Sequence, residues 1–517
     1  MSSDLSSETT FVSVPGLVAR HAQRDPGHPA LADARQRIDY QQLDSQMNQV
    51  AAALQRDGVR PRQSIAICAA GSVPYAVTFL GALRAGLVVA PLAPSSSAQG
   101  LAAMLRDCEA THLFLDTPTA QLLAQVPDLP PMRRVWLGED EAPAGTVAWQ
   151  DWLGRAEDAR AVAIDPSWGF NLIYSSGTTG TPKGILQPHG MRHNHVQRGV
   201  LNGYGPQAVT LLSTPLYSNT TLVSLFPTLG LGGAVVIMPK FEAGAFLQLA
   251  QQERVTHAML VPVQYQRLMS HPDFERTDLS SFRMKFSTSA PFPAGLKEDV
   301  LKRWPGGLIE YYGMTEGGGT CILAAHAHPD KLHTVGQPAP GHDIRLIDED
   351  GHEVAPGGTG EVVGHSPAMM SGYFKQPDKT AEAEWFDASG KRFIRTGDLG
   401  RFDEDGFLVL FDRKKDMIIS GGFNIYPSDL EAVLRQHPAV LEAAVVGVPS
   451  EKWGETPVAF VVAQGAGVDP DALLRWTNEQ LGKTQRLAAL RLVDVLPRSA
   501  IGKVLKRELR EGFSERL

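Results

Sequence analysis

Residues 171–184 read NLIYSSGTTGTPKG. The segment leaves an apolar, β-favouring run (Leu172, Ile173, Tyr174) and turns at once into small polar residues. These are Ser175, Ser176, Gly177, Thr178, Thr179, Gly180 and Thr181, closed by Pro182 and Lys183. Small residues let a backbone fold tightly around an anion with several N–H groups aimed at it. The hydroxyls add donors, and the lysine adds a mobile positive charge. The pattern suits a polyphosphate cradle better than a flexible Ser/Gly/Thr linker, because linkers seldom emerge from an apolar strand. It is not the G-x-x-x-x-G-K-[ST] loop, since Gly184 follows the lysine.

The eleven residues YSSGTTGTPKG (174–184) resemble the signature loop of the adenylate-forming superfamily: acyl-CoA synthetases, carrier-protein adenylation domains and luciferases. The resemblance implies that 175–181 and Lys183 hold the β- and γ-phosphates of ATP. Further motifs follow in the superfamily's order. FSTSAP (286–291) resembles the adenine-edge segment, through Ser289, Ala290 and Pro291. YYGMTE (311–316) resembles the second signature, which implies Tyr312 against adenine, Thr315 at the α-phosphate, and Glu316 with Thr178 as Mg²⁺ ligands. A divalent cation suits the chemistry, because attack on a phosphorus ringed by negative oxygens needs charge neutralisation. Asp398, in RTGDLG, and Arg413 match the ribose-binding pair, and a carboxylate is well suited to accept two hydroxyl donors. Lys415 occupies the hinge position. Ser420, Gly421 and Gly422 resemble the pantetheine-tunnel loop, with Trp453 as a stacking surface for CoA. Lys503, in PRSAIGK, matches the lysine that reaches the carboxylate and α-phosphate, a task for a point charge on a long stem.

One segment departs from the pattern. LLSTPLYSNTT (211–221) carries Ser218 where acyl-CoA synthetases usually have histidine. Ser218, Asn219 and Thr220 are then a polar, short-chained lining for the acyl pocket, with Tyr217 next to them, Tyr311 as its floor and Gly313 and Gly317 beside it. A short or polar-substituted acid fits this lining better than a long chain, and aryl acids stay open.

These residues need a scaffold. The chain has 517 residues, 43% apolar and 20% charged, which predicts two or more globular domains. Helical spacing over 40–57, 75–85 and 98–108 alternates with short apolar runs at 64–68, 87–91 and 112–115. Such alternation predicts an α/β fold with doubly wound sheets. Residues 128–144, rich in proline and acids, read as a surface connection. Apolar runs at 231–238 and 257–261 predict further buried strands. Strands at 344–347 and 360–364 between tight turns predict a small β-barrel-like subdomain. The text past 413 reads as a compact α+β domain. The expected division is a large N-terminal domain, 1–412, and a small mobile C-terminal domain, 413–517.

Composition excludes other classes. Net charge is −8, so there is no basic footprint for nucleic acid. No run of 18 apolar residues predicts a membrane span, and the N-terminus lacks a signal-peptide pattern. Three scattered cysteines (Cys68, Cys108, Cys321) fit a reducing cytoplasm. His189, His193 and His195 invite a zinc reading, but His193 and His195 cannot share a helix face and no acidic or cysteine ligand is suitably spaced. They read as helix-start and surface residues. The resemblance implies a two-step reaction of a small carboxylic acid with ATP, Mg²⁺ and coenzyme A in a monomer or homodimer. Coenzyme A is the expected thiol, since no carrier domain follows residue 517. The alternatives are a stand-alone adenylation enzyme loading a carrier protein and a non-catalytic nucleotide sensor.

Overall fold

The structure is a computed structural model that describes residues 10–126, 128–175, 183–413, 416–420, 423–450, 453–465, 467–482, 485–499 and 502–513. The helix Tyr40–Arg56 shows how local signals set the scaffold. Asp39 and Gln42 form a capping box at its start, and Leu43, Met47, Val50 and Leu54 line one buried face. That face meets the helix Val73–Arg84 at Gly81, where a Cβ would lie 2.5 Å from Val50 Cβ. Only glycine allows this crossing.

Two large sheets share that helical layer. An eight-stranded sheet runs from Gly372–Tyr373 through Lys183–Pro188, Gly169–Ser175, Val88–Pro91 and Ser64–Cys68 to His112–Leu115, Arg133–Trp136 and Val147–Ala148. A nine-stranded sheet has a parallel centre of His257–Leu260, Met284–Ser287 and Gly307–Tyr312 on one side of Val209–Leu212, with Ala234–Ile237 on the other. Phe79, Phe170 and Phe226 pack between the sheets, with ring centroids 4.9–6.1 Å apart. Buried apolar area of this kind is the main stabilising term. An antiparallel sheet of Asp343–Ile347, Gly360–His365, Arg392–Phe402, Glu384–Phe386 and Leu408–Arg413 forms the small subdomain.

Past residue 413 the sheet Phe423–Ile425, Ile418–Ser420, Gly454–Ala463, Val440–Ser450 carries the parallel strand Ala489–Leu492. The helices Pro427–Leu434 and Pro470–Gln480 cover one face, and Lys506–Glu511 covers the other. The α/β architecture with a small α+β unit agrees with the sequence.

Two sequence readings are corrected. Residues 128–144 are not simply a surface connection: Arg133–Trp136 is a strand parallel to His112–Leu115, with Val135 and Trp136 buried. Four residues among prolines and acids carry too little periodicity to reveal a strand that only its partner defines. His189 is not a surface residue. It is 1% exposed, packs edge-on to Phe170 at 5.0 Å, and neither ring nitrogen has a hydrogen-bond partner among the described residues. His193 and His195 are partly buried, and Nδ1 of His193 lies 3.1 Å from the Val12 carbonyl oxygen. The three cysteines are buried and unpaired. Among the described residues, no helix is long and apolar enough to cross a membrane.

Candidate active site

The strands Gly169–Ser175 and Lys183–Pro188 pair antiparallel, with Ser175 opposite Lys183 and Tyr174 opposite Gly184. The lysine therefore returns beside the strand from which the glycine-rich segment departs. Ser176, Gly177, Thr178, Thr179, Gly180 and Thr181 lie outside the described residues.

A residue without any sequence signal organises the surroundings. Tyr373 is fixed by the pairing of Gly372–Tyr373 with Leu186 and Ile185. Its phenol donates to Oε1 of Glu316 at 2.9 Å, and Nζ of Lys183 lies 5.6 Å from its ring centroid. Burial and the adjacent Glu316 raise the phenol pKa, so Tyr373 stays a donor. Glu316 is partly exposed and, among the described residues, its second carboxylate oxygen has no hydrogen-bond partner, a donor chemistry that fits a divalent cation.

Behind this pair lies a buried polar hub. Arg192, 0% exposed, donates to Oδ1 of Asn171 (3.1 and 3.2 Å), to Oδ1 of Asn219 (2.9 Å) and to Oε1 of Gln187. Gln187 Nε2 in turn donates to the Thr315 carbonyl at 2.6 Å. The hub ties together the strands on either side of 176–182, the start of the helix Asn219–Gly230 and the 311–316 motif. The sequence reading passed over Arg192, because an arginine between histidines looks like a solvated helix face.

A second cluster is assembled across sheets. Tyr312 donates to Oδ2 of Asp398 at 2.8 Å, and Asp398 stands opposite Arg413 in the antiparallel register. Ser289 has φ of +80°, a strained left-handed geometry for a non-glycine residue. Its hydroxyl lies 2.6 Å from Thr220 Oγ1. Residues 286–291 thus touch the first turn of the helix Asn219–Gly230, which Ser218 caps by accepting from Thr220 N. Ala290 is partly exposed and Pro291 exposed.

Tyr311 stacks on Phe286 at 5.9 Å and 24°, while a Cβ on Gly313 would lie 3.3 Å from Thr320 Oγ1. Tyr217 is partly buried, with its hydroxyl on Ser95. Gly317 faces elsewhere: at φ +93° a Cβ would lie 2.1 Å from the Ala368 carbonyl oxygen, so this glycine serves backbone packing.

In the small unit, Ser420 pairs with Gly454, which puts Trp453, 49% exposed, beside it. Gly421, Gly422 and Lys415 lie outside the described residues. The Lys503 loop is closed by Lys503 N on Ser499 Oγ (3.2 Å) and by Arg498 on the Gly502 carbonyl (2.6 Å). Gly502, at φ +76°, sits where a Cβ would be 2.9 Å from Val263 Cγ1. The loop is thus docked on the large unit just past the strand His257–Leu260, at the carboxyl ends of the parallel strands, where α/β sheets bind ligands.

Paired strands flanking a glycine-rich segment, an aromatic–aspartate pair across sheets and a C-terminal lysine on a docked loop are together the features of an adenylate-forming enzyme. The family AMP-binding enzyme matches residues 18–374 and the AMP-binding enzyme C-terminal domain matches 429–503. The chain belongs to this family of adenylate-forming acyl-CoA ligases, AMP-forming acid–thiol ligases. It is 33% identical over 511 residues to the indoleacetate–CoA ligase of Aromatoleum aromaticum, covering 96% of this chain and 97% of that one. It is 33% identical to the fatty acid–[acyl-carrier-protein] ligase ScoC of Streptomyces coeruleorubidus, covering 95% of each. The ATP-bound structure of MatB from Rhodopseudomonas palustris superposes with a TM-score of 0.84 at 30% identity, covering 97% and 99%.

Proposed function

We propose that the protein joins a small carboxylic acid to coenzyme A through an acyl-adenylate, with residues 1–412 as the adenylating domain and 413–517 as a mobile domain pivoting at Lys415. The observation that supports this most is the spacing of two clusters around one motif. Tyr312 and Asp398 stand at one end of 311–316, and Glu316, Tyr373 and Lys183 stand at the other. Tyr312, Asp398 and Arg413 would hold adenosine with Ser289, Ala290 and Pro291 at the base edge, and Thr315 the α-phosphate. Ser175, the 176–181 stretch and Lys183 would hold the β- and γ-phosphates. Glu316, with Thr178, would hold Mg²⁺, which supplies charge neutralisation at the phosphates.

The acid's carboxylate attacks the α-phosphorus, and pyrophosphate leaves. Lys503, on its docked loop, stabilises the charge built up between carboxylate and phosphate. In the second step the thiol of CoA, losing its proton, attacks the acyl carbon and AMP leaves. Ser420, Gly421, Gly422 and Trp453 would face that thiol once the small domain turns. No side-chain nucleophile is needed, because the anhydride supplies the leaving group and the protein supplies orientation.

A panel of carboxylic acids assayed for pyrophosphate release, then for thioester with free CoA, tests the reading. Similarity to ScoC supports a second acceptor, the pantetheine of a carrier protein. Transfer to a carrier with no use of free CoA would decide for it. No pyrophosphate with any acid would return the nucleotide-sensor reading.

A further inference from the structure

The helix His189–Gly199 carries Arg192, His195 and Arg198 at intervals of three, hence along one side. Arg192 is spent on the hub. Arg198 is not: Nη1 lies 3.0 Å from Nε2 of His342, and Nδ1 of His342 accepts the Thr320 N–H at 2.9 Å. Its other neighbour is Tyr311, whose phenol bonds Asn202. Arg198, Asn202, Tyr311, Thr320 and His342 are all partly exposed, so the cluster is open to solvent rather than sealed in a core. Gly313 packs against Thr320, where a Cβ would lie 3.3 Å from Oγ1.

Among the described residues, no carboxylate lies within ion-pair distance of Arg192 or Arg198, and the groups that act electrostatically on His195 are Arg192, Arg198 and His342. The two buried lysines are compensated. Lys297 pairs with Glu310, and Lys285 donates to the carbonyls of Trp304, Pro305 and Gly306 at 2.7–3.1 Å. A desolvated guanidinium without an anion is costly, and a partner restores what burial removes.

We propose that Arg198, with Tyr311, Asn202 and His342 around it, is a specificity-determining residue that binds a second, distal carboxylate on the acid being adenylated. The inference rests on the ligase reading above. A guanidinium fork matches a carboxylate bidentately, and Tyr311 and Asn202 add neutral hydrogen-bonding groups. The distal group is not the reacting one. Arg192 is tied through Gln187 to Thr315, where the reacting carboxylate must arrive, and Arg198 lies six residues further along the helix. At 1.5 Å rise per residue the two arginine backbones stand ~9 Å apart along the helix, so Arg198 lies away from the Thr315 end.

The test pairs each diacid with its monoacid: suberate with octanoate, and terephthalate with 4-methylbenzoate. Pyrophosphate release is measured for the wild type, Arg198→Met and Arg198→Lys, and acid binding in the presence of a non-hydrolysable ATP analogue is measured by calorimetry. ATP-analogue binding verifies that each variant is folded. For at least one pair the wild type should favour the diacid at least tenfold in kcat/KM. Arg198→Met should shift that ratio about a hundredfold toward the monoacid, and Arg198→Lys should lie between. Equal use of both members of every pair by the wild type, or an unchanged ratio in Arg198→Met, overturns the proposal and leaves the ligase reading standing. Arg198-dependent diacid binding without pyrophosphate release does the reverse. Neither binding nor release overturns both.

Discussion

The phenol of Tyr373 donates to Glu316 over 2.9 Å, and the same ring lies 5.6 Å from the ammonium of Lys183. One side chain thus orients the carboxylate assigned to the metal and sits against the lysine assigned to the phosphates. Tyr373→Phe keeps the ring and removes the hydrogen bond. It should raise the Mg²⁺ concentration for half-maximal adenylation severalfold and leave stability within about 1 kcal/mol. Glu316→Gln, which removes the charge, should raise it further. Unchanged magnesium titrations for both variants would show that Glu316 does not hold the metal.

Lys503 is presented by a loop that Ser499 and Arg498 close and that docks on Val263. Lys503→Ala should slow adenylate formation about a hundredfold, roughly 2.7 kcal/mol of barrier. Thioester formation from supplied acyl-adenylate should fall far less. Equal losses in both half-reactions would remove the assigned role.

Arg192, itself 0% exposed, holds three amide side chains. Burial pushes its pKa down to about 9. Arg192→Met should cost about 2–4 kcal/mol in urea unfolding, because Asn171, Gln187 and Asn219 lose a donor they cannot replace. If Gln187 positions Thr315, the folded variant should also lose kcat for adenylation more than KM for ATP. A stability loss with unaltered kcat would restrict Arg192 to a structural role.

Acid should destabilise the fold through desolvated histidines. Burial pushes His189, His257 and His342 down to about 4 from an ordinary value of 6.5. The folded protein keeps them neutral while the unfolded chain binds protons, so their contribution is complete above about pH 6.5. It is lost as pH falls toward about 4. Glu310, its pKa raised by burial, opposes this as one carboxyl against three imidazoles. His189→Leu, which removes an unpartnered polar ring, should raise the melting temperature more at pH 5 than at pH 8. An equal change at both pH values would show that His189 does not titrate on unfolding.

The chemistry of this protein was legible in runs of neighbouring residues. The 174–184 stretch, the 311–316 motif and the 497–503 frame each carry several polar and charged residues within about ten positions of sequence, so one window of text reveals them together. The strands 64–68 and 112–115 were equally plain, because buried parallel strands are short and wholly apolar. What the tertiary structure decided was every relation between distant segments. Asp398 meets Tyr312, Tyr373 meets Glu316, and Arg198 meets His342, across separations of 57 to 144 residues. The strand Arg133–Trp136 and the burial of His189 were hidden for the same reason. A side chain's solvent and partners depend on sheet order and helix docking, and these follow from the summed packing of the whole chain rather than from any window of its sequence.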